Sequence, residues 1–95
     1  MGRVESLNGR VLAFVDLFVE SMLIDDVVRE LKALDKVLQV YEVTGEFDVV
    51  TLIGADNIED LRDILKNRIL KIRGIKSTVS SIVLKIDKAE PLNPE

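Results

Sequence analysis

The sequence predicts an α+β domain built on a four-stranded antiparallel sheet, and three observations support this. Two runs rich in β-branched apolar residues, 37–43 and 49–54, flank a short polar segment with one glycine, the pattern of a hairpin between core strands. A third run, 10–19, is apolar at both alternating sets of positions, which is typical of a central strand covered on both faces. Two stretches with apolar spacings of three and four predict amphipathic helices between the strands.

The elements follow one another as strand, helix, strand, strand, helix, strand. The first helix has its acidic first turn at Asp25 and Asp26, and the second begins with a capping pattern at 56–59 and ends before Gly74. A fourth strand, rich in hydroxyl groups in its first half, is predicted for 75–87. This order is that of the ferredoxin-like βαββαβ fold, in which right-handed crossovers place both helices on one face of the sheet.

The second face of the predicted sheet has no helix to cover it, although the first strand is apolar on that face too. A chain of 95 residues removes only about 60–65% of its surface from water on folding, yet 47% of these residues are hydrophobic. We therefore expect a second copy of the same sheet to cover this face, as in a dimeric α+β barrel. Asp16 interrupts the apolar set, and we interpret it as a strand-end or interface-rim residue.

Composition excludes several classes of function. The net charge of −4 gives no electrostatic footprint for nucleic acid, so we expect no direct DNA binding. The chain has no His and no Cys, which argues against zinc sites, other metal sites, His-based catalysis and disulfides. No apolar run approaches the roughly 18 residues that a transmembrane helix needs. We expect a cytoplasmic protein with no cofactor, no metal, no catalytic residue and no membrane partner.

The expected domain organisation is simple. Residues 1–9 form an N-terminal lead-in, residues 10–88 form the single domain, and residues 89–95, which include Pro91 and Pro94, form a flexible C-terminal tail.

Three segments resemble the effector domain of the Lrp/AsnC transcription factors, called the RAM domain. They are the run Val-Tyr-Glu-Val-Thr-Gly-Glu-Phe-Asp-Val-Val at 40–50, the Gly74-Ile75 turn, and the strand Thr-Val-Ser-Ser-Ile-Val-Leu at 78–84. The resemblance covers residues 10–87. Members of that family usually begin with a helix-turn-helix domain, whereas only nine residues precede the first predicted strand here. The resemblance therefore implies a stand-alone effector module without the family's DNA-binding activity.

The resemblance also implies an assembly and a ligand site. Two sheets would face each other in a dimer, dimers would form a ring, an octamer or a decamer, and an amino-acid effector would lie between dimers near the hairpin loop. Loop N–H groups could hold its α-carboxylate, an aspartate its ammonium, and hydroxyls its remaining polar atoms. The positions that match the ligand-binding positions are Gly45, Phe47, Asp48, Thr78, Val79 and Ser80.

Each position also has a purely structural interpretation. Gly45 could serve only the positive φ of a turn, and Asp48 could cap that turn through its own backbone. Phe47 could pack in an interface, and Thr78 and Ser80 could be ordinary exposed strand residues.

The leading function is an oligomeric amino-acid sensor that modulates transcription by associating with full-length regulators of the same family. One alternative is an ACT-like regulatory subunit of an amino-acid biosynthetic enzyme, which would pair sheets edge to edge. A second is a small dimeric α+β barrel monooxygenase. With no His, no Cys, no Trp and one Tyr, the chain has few groups that could transfer a proton, so we expect no enzyme activity.

Overall fold

A computed structural model describes residues 9–89 of the chain. The predicted lead-in, apart from Gly9, and the predicted tail, apart from Ala89, lie outside the described residues. Among the residues described, no helix combines the length and the apolar character that crossing a bilayer requires.

The element order confirms the predicted βαββαβ arrangement. The strands are β1 (Val11–Val19), β2 (Val37–Glu42), β3 (Val49–Ala55) and β4 (Ile75–Ile82). Helix α1 spans Ile24–Lys32 after a 3-10 turn at Ser21–Leu23, and helix α2 spans Ile58–Asp63. The sheet is antiparallel in the order β2-β3-β1-β4, so β1 and β3 are central and β2 and β4 form its edges.

The core lies between the two helices and one face of the sheet, which we call the helix face. Alternate residues of β1 enter it, among them Val15 and Leu17, both fully buried. Val27 and Leu31 of α1, one turn apart, are also fully buried against this face. Thr51, the one buried polar side chain among residues 9–89, donates its hydroxyl to the Val15 carbonyl oxygen at 3.1 Å. The core therefore contains no unsatisfied side-chain polar atom among the described residues.

The opposite side, which we call the open face, carries the other alternate residues. The cross-strand register places them in rows, of which the row through Asp16 reads Tyr41, Val50, Asp16 and Val79. Asp16 therefore lies in the middle of a central strand, and its interpretation as a strand-end residue is wrong. The strand continues past Asp16, because Leu17 still pairs with Val49 of β3 and with Thr78 of β4.

The fourth strand is shorter than predicted. It ends at Ile82 rather than at Asp87, although the Val83 N–H still donates to the Leu12 carbonyl oxygen at 2.8 Å. Residues 83–89 then run beside one end of the open face and leave a cavity of about 410 Å³ there. Leu12 and Leu52 are buried in this region, whereas Phe14, in the next row of β1, is 44% exposed. The open face is thus covered only at one end by the described part of this chain.

The second helix also departs from the prediction in its geometry. After Asp63 it continues through Ile64–Ile69 with one more residue per hydrogen-bonded turn, and the Leu70 N–H donates to the Leu65 carbonyl oxygen at 2.9 Å. Gly74 follows with φ of +106°, in the left-handed region predicted for it. The apolar spacing in the sequence does not reveal this wider turn. The wider turn changes the direction in which the last helical turn faces, but the buried apolar positions remain buried.

A polar cluster holds the start of α2 against the start of β2. The Asn57 side chain caps the helix by accepting from the Asp60 N–H at 2.7 Å, one residue later than the predicted cap at Asp56. The Asp60 carboxylate in turn accepts from the Asp56 N–H at 2.8 Å and from the Lys36 ammonium at 3.0 Å. These bonds lower the pKa of Asp60, the Asp56 N–H most strongly and Lys36 next. Hydrogen bonds to Asp60 and Asp56 raise the pKa of Lys36.

The shifted pKa of Asp60 predicts an acid-dependent contribution to stability. Because the folded-state pKa of Asp60 is depressed, the contribution is complete above the ordinary pKa of an aspartate and is lost as the pH falls through the lower folded-state pKa. We expect Asp60→Asn to lower the melting temperature at about pH 7 and to have a smaller effect as the pH falls through the folded-state pKa of Asp60. Melting curves of the variant and of Asp35→Asn, an exposed acid without such bonds, test this. A difference that persists unchanged at the acid end would contradict it.

Two glycines with positive φ allow packing to be separated from backbone strain. A Cβ on Gly74 would lie 2.9 Å from Leu23 Cβ and 3.0 Å from Val27 Cγ2, whereas a Cβ on Gly45 would meet no atom within 4 Å. Both Ala variants carry a backbone cost of about 1 kcal/mol or more. We expect Gly74→Ala to reduce the free energy of unfolding by more than Gly45→Ala, measured by urea denaturation. Equal losses would mean that α1 moves away from residue 74 without cost.

Candidate functional site

The hairpin loop between β2 and β3 lies at one end of the sheet. It is closed by the Val43 N–H, which donates to the Asp48 carbonyl oxygen at 3.1 Å. Gly45 is exposed and has φ of +122°, so the turn itself is enough to require glycine there. Within the described residues, the amides of 44–47 donate to no backbone or side-chain acceptor. The loop therefore presents several N–H groups to solvent, and its role in binding a carboxylate stays a prediction.

Asp48 is tied to the central strand. Its backbone N–H donates to the Leu17 carbonyl oxygen at 3.0 Å, and its Oδ2 accepts from the Val19 N–H at 2.8 Å. Regular β1–β3 pairing ends at Leu17 and Val49, so the carboxylate continues the ladder by one bond. The prediction that Asp48 might cap the turn through its own backbone is wrong, because its partner lies 29 residues away. One carboxylate oxygen is thus structural.

Phe47 packs on the protein rather than beside the loop amides. Its ring centroid lies 4.8 Å from that of Phe18, with the planes tilted by 50°. Phe18 has the same orientation on β1 as Asp16, so this aromatic pair lies at the loop end of the open face. The geometry supports the interface-packing interpretation of Phe47.

Thr78 and Ser80 lie on the other side of the sheet. They pair with Leu17 and Val15, whose side chains enter the core, so their hydroxyls face the helices. There they border a groove of about 360 Å³ between the β4 edge and the second helix. Val79, between them, has its side chain on the open face and is 48% exposed. The structure therefore separates Val79 from Thr78 and Ser80.

The groove has an apolar floor and a cationic rim. Its charged residues are Arg62 and Lys66, one turn apart on the second helix, and no acidic residue lines it. Neither cation forms an ion pair within residues 9–89. The sequence analysis missed both, although their spacing of four on one helix was the available signal. The remaining lining residues are Ile58, Leu61, Leu65, Leu70, Thr78, Ser80 and Ile82.

The predicted ligand residues form two separate groups in one copy of the chain. Val49, next to Asp48, pairs with Leu17 on β1, and Leu17 pairs with Thr78 on its other edge. Two strand spacings put the loop end of β3 about 10 Å from Thr78. In addition, the Thr78 hydroxyl faces the helices while Phe47 packs on the open face. A small molecule bound to one group of a single copy does not touch the other. Groups of acidic residues suited to holding a metal ion are absent from the described part of the chain.

Comparison with known proteins bears on both the family and the fold. A family model described as the Lrp/AsnC ligand binding domain matches residues 12–92. The HTH-type transcriptional regulator FL11 of Pyrococcus furiosus is 33% identical over 84 residues, which is 88% of this chain and 55% of that protein. The chain thus spans about half the length of the curated regulators it matches.

Solved structures give the same result. The crystal structure of FFRP-DM1 superposes with a TM-score of 0.75 and 27% identity, covering 78% of this chain and 99% of that one. A feast or famine regulatory protein from M. tuberculosis, complexed with L-methionine, superposes with a TM-score of 0.79 and 25% identity, covering 98% of this chain and 64% of that one.

Homocitrate synthases are also among the relatives. The homocitrate synthase of Sulfurisphaera tokodaii is 32% identical over 91 residues, but the match takes in only 20% of that protein. The family model, the regulators and the superposed structures agree over most of the present chain. The chain belongs to the Lrp/AsnC ligand-binding domain family.

Proposed function

We propose that the chain is an amino-acid-sensing regulatory module whose effector site is completed between two copies. The observation that carries the proposal is the separation of the predicted ligand residues. The loop group (Gly45 and Asp48) and the groove group (Thr78 and Ser80) lie on opposite sides of β1 and cannot close on one small molecule. A ligand that contacts both groups therefore needs the loop of one copy and the groove of another.

Charge and polarity support this pairing of surfaces. The loop end of the hairpin carries exposed Glu42 and Glu46 on either side of exposed Val43. The groove offers Arg62 and Lys66 at the rim of an apolar floor. An acidic loop with an apolar centre is complementary to a basic groove with an apolar floor. Because loop and groove are different surfaces, the contact is heterologous, and repetition of it between dimers closes a ring, an octamer or a decamer.

The chemistry of the two surfaces suits a zwitterionic amino acid. Free loop amides and the groove cations can hold the α-carboxylate, and the second oxygen of Asp48 can accept from the ammonium. The apolar floor favours a side chain without charge. L-Methionine, the ligand of the M. tuberculosis relative, fits this description and is the first probe to use.

Dimers would form through the open face. Exposed apolar side chains remain there after folding, including Phe14 at 44%, Val79 at 48% and Tyr41 at 37%. A second sheet can cover such a surface by face-to-face packing, in which side chains of the two sheets interdigitate. We expect the module to modulate transcription by associating with full-length regulators of its family. The FFRP-DM1 structure supports action as a separate module, because nearly all of that chain corresponds to the present domain.

A second candidate function is regulation of a biosynthetic enzyme. The similarity to one fifth of a homocitrate synthase favours it, since the same domain then accompanies an enzyme of that kind. The two functions differ in their target. Mobility shifts of a full-length family regulator on its operator, with and without the module and L-methionine, test the first. Homocitrate synthase activity under the same additions tests the second.

Asp48 variants separate its structural and ligand roles. Asp48→Asn keeps an oxygen for the Val19 N–H but removes the charge, whereas Asp48→Ala removes both. We expect Asp48→Asn to melt near the wild-type temperature and to bind L-methionine about ten- to a hundredfold more weakly, the effect of losing a bond of about 1.5–3 kcal/mol to a charged group. Calorimetric titration measures this, with Glu30→Gln on the outer surface of α1 as the control. Wild-type affinity in Asp48→Asn would remove the ammonium contact from the proposal.

We expect the groove cations to hold each dimer to the next one in the ring. Removing both, in Arg62→Gln/Lys66→Gln, should shift the sedimentation profile from the ring toward the dimer and weaken L-methionine binding, because the acidic loop then meets a neutral groove. The pair Lys71→Gln/Arg73→Gln makes the same charge change on exposed residues outside the groove. Identical profiles for the two double variants would show that charge does not draw the loop to the groove.

A further inference from the structure

Asp16 is an acidic side chain surrounded by apolar ones. On the open face its neighbours across the strands are Val50 and Val79, and its neighbours along β1 are Phe14 and Phe18. It is already half-buried in one copy. Its carboxylate accepts no side-chain hydrogen bond and forms no ion pair within residues 9–89. A sheet laid over this face would take the carboxylate out of water, which is strongly unfavourable unless the partner supplies a cation.

Arg10 lies against the sheet itself on the open face, at the end where Lys85 and Lys88 of residues 83–89 border the cavity. Gly54, which pairs with Leu12 on this face, has the Arg10 guanidinium directly above its Cα, where a Cβ would collide with it. The same space is bounded by Leu38 Cδ1, 3.0 Å from that Cβ position. The absence of a side chain at residue 54 thus leaves room for the guanidinium against the sheet, and its N–H groups are donors that a carboxylate of a second copy can accept from.

The two charges cannot neutralise each other within one copy. The Arg10 guanidinium lies over Gly54, in the row of Leu12, two rows away from Asp16, and four residues of strand separate these rows by about 14 Å. Phe14 lies midway between them on the same side of β1. In a two-fold dimer a contact from one residue to another is always repeated in reverse. A two-fold axis that lies between the two sheets and crosses the strands at Phe14 exchanges the rows on either side of Phe14. It therefore brings the Asp16 row of each copy over the Gly54 row of the other.

We propose that Asp16 of one copy pairs with Arg10 of a second copy across the open face, in two equivalent ion pairs per dimer. The proposal rests on the sheet-to-sheet dimer proposed above and adds the residues that set its alignment. The self-complementary placement of one acid and one base on a largely apolar face selects a second copy of this chain as the occupant. The partly exposed Phe14 rings then pack on each other near the axis.

Exchange of the two charges tests the pair. Sedimentation equilibrium of the wild type, Asp16→Arg, Arg10→Asp and the double exchange gives the dimer dissociation constants. We expect each single reversal to weaken the dimer by on the order of 30-fold or more, because like charges then face each other in a water-poor interface. The double exchange should recover most of the loss. Glu30→Arg makes the same charge change on α1, away from the open face, and should leave the dimer unchanged.

Three results would overturn the pair. Failure of the double exchange to recover affinity, with circular dichroism showing folded protein, would mean that the two residues do not meet. Tighter dimers from Asp16→Asn with no effect of Arg10→Gln would show that no cation pairs with the Asp16 carboxylate. The sheet-to-sheet dimer would remain, and the ion pair would be ruled out. A wild-type chain that stays monomeric at all concentrations would remove the sheet-to-sheet dimer and the pair with it. If the reversals unfold the chain, the milder Asn and Gln variants and their double variant decide through non-additive effects on dissociation.

Discussion

Strand β1 is the constraint on which the rest of the structure depends. It is hydrogen-bonded along both edges, to β3 and to β4, so it can neither shift its register nor rotate about its axis. Its side chains must therefore alternate strictly between a face closed by helices and a face without them. Val15 and Leu17 are fully buried on the helix face, whereas Phe14 and Asp16 lie on the open face. A one-residue slip would exchange the two sets.

The candidate site follows from the two ends and edges of this strand. At its loop end, regular pairing with β3 stops, and the Asp48 carboxylate satisfies the next amide of β1. This fixes the hairpin loop to the sheet while its own amides stay exposed. On the other edge of β1, pairing with β4 places side chains of paired residues on the same face. Thr78 and Ser80 therefore face the helices, and Val79 faces away from them. The loop and the groove are therefore rigidly placed but mutually out of reach, a geometry suited to a site shared between subunits.

The widened turn of the second helix contributes to the groove. Its i to i+5 bond at Leu65 and Leu70 places Lys66 at the rim and Leu70 in the lining. Wide turns of this kind are frequent at functional positions, since they cost hydrogen-bond geometry that an ordinary helix would keep. Arg62 lies on the same face of the helix. The groove therefore combines cations with apolar groups in a chain whose net charge is negative.

Much of the fold could be predicted because it depends on local patterns. The hairpin around Gly45, the positive φ of Gly74 and the βαββαβ order all follow from spacing and turn chemistry within a few residues. The family resemblance likewise rested on contiguous residues. The apolar character of both faces of β1 was also legible in the sequence, and with it the expectation that something must cover the second face.

What the sequence could not determine were relations between residues far apart in the chain. The bond from Asp48 to Val19, the burial of Leu12 beside residues 83–89, and the row that joins Tyr41, Val50, Asp16 and Val79 all depend on strand order and register. Thr78, Val79 and Ser80 are adjacent in sequence yet divided by the pleat between two faces. The physical reason is that the alternation of side chains along a strand is a local, periodic property. Which residue lies opposite on the next strand is decided only by the strand order and the register of the folded sheet.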